Sequence, residues 1–312
     1  MNHKILSTVV NKKRNRRTKD ELNQLSTQIV DALTSDNPQS VRHIFYLMTN
    51  PRLNVPVEKT EKGYRQIQYL MTKLRRDGRV RYDWVTDATR RGFHVNTFSN
   101  GGDFVNHMAA QYRGDLWRLS DHYVEVWCES RSIAGVIEND CRDLAVSLYP
   151  AGGFASISLI YQASEYINAD FDYHGKKVEI IYIGDYDPAG VLIDASIEKE
   201  LLHHLNPGIE LNFHRIGITE DQIEEFDLPT KPRKAGDKRA SHVLETVEAE
   251  AMPVVELRRL LRDSIERYLP AGALHTTKVA EESEREGLKL LGLGLRGKND
   301  KLINNACDLL LR

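Results

Sequence analysis

Apolar positions near the start of the chain recur at helical spacing over 19–33, 39–48 and 62–77. In the third stretch Tyr64, Ile67, Leu70, Met71 and Leu74 share one stripe, and Gly78 stops the helix. A β-prone segment, RVRYDWV at 79–85, follows. Beyond the Asn- and Gly-containing segment at 100–102 the pattern changes to alternating strands and helices. It predicts a strand at 122–129, a helix at 132–148, a glycine turn at Gly152 and Gly153, a helix at 157–168, a strand at 178–183, a helix at 191–205 and a strand from 209. The tail, 275–312, reads as two helices with one amphipathic stretch.

Three helices and a strand are the order of a winged helix-turn-helix, so 18–100 is expected to be a winged-helix domain. Strands alternating with helices predict a mostly parallel sheet covered on its faces, so 101–270 is expected to be a Rossmann-like α/β domain. The fold class is therefore α/β, with a basic arm at 1–17 and a helical segment at 271–312 closing the chain.

Charge sharpens the picture of the front half. The net charge is only −2, which argues against a uniformly basic surface, but residues 11–20 carry six Lys or Arg against one Asp. On the third helix Arg65, Tyr69, Lys73 and Arg76 lie opposite the apolar stripe, and Arg79 and Arg81 follow in the expected wing. A basic face with an aromatic among the charges suits contact with DNA phosphates; a solvated helix surface is the other reading. In the second helix Val41, Ile44, Phe45 and Met48 form the stripe expected to be buried. Tyr46 falls roughly 150° from its centre at 3.6 residues per turn and shares a face with Arg42. Tyr46 is thus expected on the polar side of that helix.

The densest chemistry lies at 178–190, VEIIYIGDYDPAG, where an apolar strand ends in Asp185 and Asp187. Two carboxylates at i and i+2 of an extended segment can serve one hard cation, although acidic pairs also cap helices and close turns. Glu129 ends another predicted strand, so all three acids are expected at carboxyl ends of a parallel sheet, where ligands gather. Converging without a cation they would repel one another, which makes bound Mg²⁺, with Mn²⁺ as the other candidate, the economical arrangement. His203 and His204 sit near a helix end, where dipole complementation accounts for them. The loop at 231–239, KPRKAGDKR, suits either DNA contact or solvation.

A glutamate ending one strand and a GDxDPxG turn ending a later one resemble a Toprim domain, the metal-binding unit of topoisomerases and bacterial primases. With Arg42, Phe45 and Tyr46 as an upstream R-x-x-[FY]-Y motif, the chain resembles the topoisomerase VI A subunit and the related meiotic double-strand-break transesterase. The likeness runs over about 39–269, including VEAEAMPVVELRRLL at 247–261, and is strongest to compact stand-alone A-like proteins. It implies Mg²⁺-dependent attack of Tyr46 on double-stranded DNA with Arg42 assisting, a 5′-phosphotyrosyl link, metal ligation by Glu129, Asp185 and Asp187, and a homodimer in which Tyr46 of one subunit meets the other's acids. A separate GHKL-type ATPase subunit is a further implied partner, since no Walker A motif occurs here. The chain departs from the family at Glu129-Ser130-Arg131, where a Glu-Lys pair is common. The rival readings are a hydrolytic nuclease using the same acids, a DNA-binding or recombination-partner protein with a structural sheet, and, more distantly, a primase.

The remaining composition adds exclusions. Cys128, Cys141 and Cys307 form no CxxC pair, so neither a zinc site nor a disulfide framework is expected. No apolar run reaches the roughly 18 residues of a membrane span and no signal-peptide core is evident, so no membrane partner and a cytoplasmic location are expected, nucleoid-associated if the source is bacterial or archaeal.

Overall fold

The structure is a computed structural model. It describes residues 17–86, 95–234, 236, 237 and 239–310, with side chains up to 296. The basic arm expected at 1–17 lies outside the described residues but for Arg17.

The first unit is helical. Thr18 and Glu21 form a capping box that starts α1 (Lys19–Ser35), and Ser40 and Thr60 cap α2 (Val41–Met48) and α3 (Glu61–Arg76) through their hydroxyls. Each cap satisfies a backbone N–H that the first helical turn would otherwise leave unpaired. Leu25, Ile29 and Leu33 of α1 meet Ile44 and Met48 of α2 and Ile67, Leu70, Met71 and Leu74 of α3 in one core. That is the packing the stripes predict.

The expected wing strand is much shorter than 79–85. Tyr82–Trp84 forms a 3-10 turn, and only β2 (Val85–Thr86) is extended, pairing in parallel with β1 (Gln39–Ser40). The turn is closed by the Trp84 N–H donating to the Arg81 carbonyl at 3.3 Å, a local bond in place of a ladder bond, and the Asp83 carboxylate accepts from the Arg81 guanidinium at 3.0 and 2.6 Å beside it.

After α4 (Gly101–Gln111) comes a four-stranded, wholly parallel sheet. Its strands are β3 (His122–Cys128), β4 (Ser147–Pro150), β5 (Lys177–Ile183) and β6 (Leu211–Gly217), in spatial order β4-β3-β5-β6. Side chains alternate across β5: Ile181 and Ile183 face α5 (Arg131–Asp143), while Val178, Ile180 and Tyr182 face α6 (Ile157–His174) and α7 (Gly190–His204). The protein is therefore α/β, built on a parallel sheet with helices on both faces.

The helix expected to run to 148 stops at Asp143. Ala145 takes a left-handed φ of 52°, and the chain turns into β4 at the sheet edge. Past β6 the chain forms α8 (Glu220–Glu225) and a small hairpin of β7 (Lys231–Pro232) and β8 (Glu245–Thr246), then a 3-10 turn at Ala249–Ala251. In α9 (Val254–Glu266), Leu257, Leu261 and Ile265 close the core under α5.

The tail is one helix, α10 (Ala273–Leu310), not two. It runs against α4, where Gly102 and Gly292 let the backbones touch: a Cβ on Gly102 would come within 2.4 Å of the Gly292 carbonyl oxygen. Arg285 adds bonds to the Tyr112 carbonyl at 2.8 and 3.1 Å. No helix among the described residues is long and apolar enough to cross a membrane.

Arg258 of α9 is among the side chains that fasten the helical unit to the sheet domain. It donates to Asp36 Oδ1 at 3.0 Å, the Pro38 carbonyl at 2.9 Å and the Val136 carbonyl at 3.1 Å. Ser132 Oγ adds a bond to Ser40 Oγ at 3.0 Å.

Candidate functional site

Between the helical unit and the carboxyl ends of β3 and β5 lies a cleft of about 720 Å³. Glu129, Asp185, Asp187, Arg42 and Tyr46 all line it, so both halves of the expected chemistry face one space within a single chain. Glu248, Glu250, Lys59 and Lys231 share the lining.

The acids sit where strand ends put them. Glu129 follows the last residue of β3, and its Oε2 accepts the Asp185 N–H at 3.0 Å. Asp185 Oδ1 accepts the Ala249 N–H at 2.8 Å. Burial and the charge of Glu129 push the Asp185 carboxyl up to about 8, and burial raises Glu129 as well. Asp187 performs the turn-closing task that its sequence context also allowed. Its Oδ1 accepts from Ala189 N at 2.8 Å and Gly190 N at 2.6 Å, holding the start of α7. Among the described residues no three His, Cys, Asp or Glu side chains are gathered into a ready metal cage. The donor set is nevertheless of the right kind for a hard divalent cation: Glu129 and Asp185 are adjacent carboxylates, and the nearby Arg215 guanidinium is spent on the Gly184 and Asp185 carbonyls and on Asp194.

Tyr46 is not on an open face. It is buried, 6% exposed, with its ring tilted against Phe45 at 5.3 Å between centroids. The helical pattern records only the side of α2 that faces α1 and α3. The other side is covered by residues far away in sequence, which periodicity does not register. Lys231 Nζ lies 3.4 Å from the Tyr46 hydroxyl, and Lys59 Nζ sits 5.3 Å from the ring centroid. Glu248 bridges Arg42 and Lys231, accepting from Lys231 at 2.8 Å on Oε1 and from Arg42 on Oε2. Burial works against the charge on Glu248, yet the hydrogen bonds and charges of Lys231 and Arg42 hold it down to about 2. Burial, then the charge and hydrogen bonding of Glu248, raise the Tyr46 phenol well above its ordinary range. Lys59 moves the other way, to about 8, because burial and neighbouring Lys231 disfavour its ammonium.

Comparisons with protein-family models, with curated proteins and with solved structures find no match.

The basic face of α3 is as the pattern predicts. Arg65, Tyr69, Lys73 and Arg76 are exposed, as are Arg79 and Arg81, and a shallow surface hollow lies among Tyr69, Lys73 and Arg76. Sequence reasoning missed Lys59, Glu248 and Glu250, and took Lys231 only as part of a basic loop. Glu248 and Glu250 carry the same i, i+2 spacing of acids as Asp185 and Asp187 and fall inside the 247–261 stretch, two signals that mark them in advance.

Proposed function

We propose that the protein is a Mg²⁺-dependent DNA strand transesterase resembling the topoisomerase VI A subunit, with a winged-helix-like helical unit and a Toprim-like sheet. The observation that carries this reading is the shared cleft: Tyr46 and Arg42 face Glu129, Asp185 and Asp187 across one space. The exposed basic face of α3 supports a duplex as the substrate.

In this reaction the Tyr46 oxygen attacks a backbone phosphorus and the bond to the 3′ oxygen breaks. The phenolic proton goes to solvent, the leaving oxygen takes one up, and a 5′-phosphotyrosyl link remains. Because one phosphodiester replaces another, the break reseals readily. A phenol at its ordinary pKa is about one part in a thousand ionised at pH 7, so cations near it matter. Arg42 and Lys231 are those cations, and once free of Glu248 they stabilise a phenolate or a bound phosphate. Glu129, Asp185 and Asp187 would hold Mg²⁺ or Mn²⁺, which supplies charge stabilisation for the departing oxygen. Two such chains acting on opposite strands make a double-strand break, which calls for a homodimer; strand passage would further require a separate ATPase subunit.

A second reading, hydrolysis by water at the same acids, draws on the burial of Tyr46 and the raised pKa of its phenol. One experiment separates the two. Supercoiled DNA is incubated with Mg²⁺ and wild type or Tyr46→Phe, and products are resolved with and without protease. Transesterification gives a protein-linked 5′ end in wild type and no cleavage in Y46F. Equal cleavage by both, with no covalent adduct, assigns the protein to hydrolysis.

A further inference from the structure

Arg42 and Lys231 come from opposite walls of the cleft and converge on one carboxylate. Glu248 gives one oxygen to each, and Lys231 also reaches the Tyr46 hydroxyl at 3.4 Å. All three charged side chains keep a solvent-facing part, 42% for Arg42, 44% for Lys231 and 26% for Glu248, so the group opens onto the cleft. The backbone on either side of Glu248 is pinned: Val247 pairs with Tyr186, and Ala249 N–H binds Asp185. The Glu248 side chain can therefore swing out with its backbone in place.

A phosphodiester, like a carboxylate, presents two anionic oxygens, and an arginine with a nearby lysine is a usual receptor for them. We propose that Arg42 and Lys231 form the seat for one backbone phosphate of DNA, and that Glu248 fills this seat in the DNA-free chain as an exchangeable latch. The proposal rests on the transesterase reading for its choice of ligand. Its geometry follows from the shared donor: an anion that replaces the Glu248 carboxylate on Lys231 lies next to the Tyr46 oxygen. A competing role for Glu248, as the base that takes the phenolic proton, fits poorly. A carboxylate held near 2 is a weak acceptor for a group that ionises far higher.

The test uses the full chain and fluorescein-labelled duplex DNA, with anisotropy read in EDTA over a series of NaCl concentrations. Removing the competing anion in Glu248→Gln is expected to tighten binding about tenfold and to steepen the salt dependence by about one neutralised phosphate. Lys231→Gln in that background returns the affinity to the wild-type value or below. Glu248→Asp, too short to bridge both cations, gives an intermediate gain and serves if the Gln variant does not fold. Unchanged or weaker binding by folded Glu248→Gln or Glu248→Asp overturns the latch.

The binding readout needs no metal and no cleavage, so the two ideas fail separately. Tighter binding by the variant with no covalent adduct in any protein leaves the seat standing and removes the transesterase reading. An adduct in wild type with unchanged affinity in the variants does the reverse.

Discussion

The Asp185 N–H donates to the Glu129 carboxylate at 3.0 Å, tying the end of β5 to the end of β3. The bond brings two half-buried acids together, and their mutual repulsion is what a cation would relieve. Mg²⁺ or Mn²⁺ is expected to raise the melting temperature of the wild type near pH 8. In Asp185→Asn that response is lost. The metal-free variant is expected to melt higher than metal-free wild type at the same pH, because the folded carboxyl ionises near 8 and an ordinary one near 3.8. Differential scanning fluorimetry with and without EDTA checks both statements.

Glu125 gives a pH signature away from the cleft. It is fully buried in β3, where Trp127 Nε1 donates to it at 2.9 Å and the Tyr123 hydroxyl at 3.0 Å. Burial, opposed by these hydrogen bonds, pushes its carboxyl up to about 7. Over this interval the unfolded chain binds fewer protons than the folded one, so stability falls as pH rises from about 4.5 to about 7. The size of the effect is at most on the order of 3 kcal/mol. Glu125→Gln should flatten that part of the stability profile in urea titrations, and an unaltered slope would count against the assignment.

The α3 face makes a prediction about salt. Replacing Arg65, Lys73 and Arg76 with Gln removes up to three phosphate partners from a surface that carries little of the core. Duplex affinity should drop for all sequences alike, and the log–log salt slope should shrink by about 0.9 for each phosphate no longer neutralised. The melting temperature should move little. Unchanged slopes would place the DNA elsewhere.

Gly190 occupies a position with no room for a side chain. A Cβ there would lie 2.2 Å from the Asp185 carbonyl oxygen, which is backbone and cannot step aside cheaply. Gly190→Ala is expected to cost about 1–3 kcal/mol and to weaken the divalent-ion response by displacing the strand end that carries Asp185. Chemical denaturation and the same fluorimetry assay measure the two effects.

What sequence makes legible is burial on one face. The stripes of α1 and α3 and the apolar runs of β3 and β5 repeat at the spacing of their elements, so both cores are readable. Edge and covering relationships are not. β4 is four residues long, with no fully buried position, and carries no alternation to find. Tyr46 reads as exposed because the residues that cover it stand far along the chain, Lys231 and Glu248 being joined through the β7–β8 hairpin. The acids at 129, 185 and 187 are legible as strand ends. The hydrogen bonds that hold Asp187 to the turn are legible only as one of two readings. The tail reads as two helices, yet it is one, and its Gly292 serves close packing against α4.

The bonds from Arg258 to Asp36, Pro38 and Val136 bear on how the cleft opens. They join the wall that carries Tyr46 to the wall that carries Glu129. Parting the walls breaks all of these bonds, whereas turning the Glu248 side chain breaks none of them.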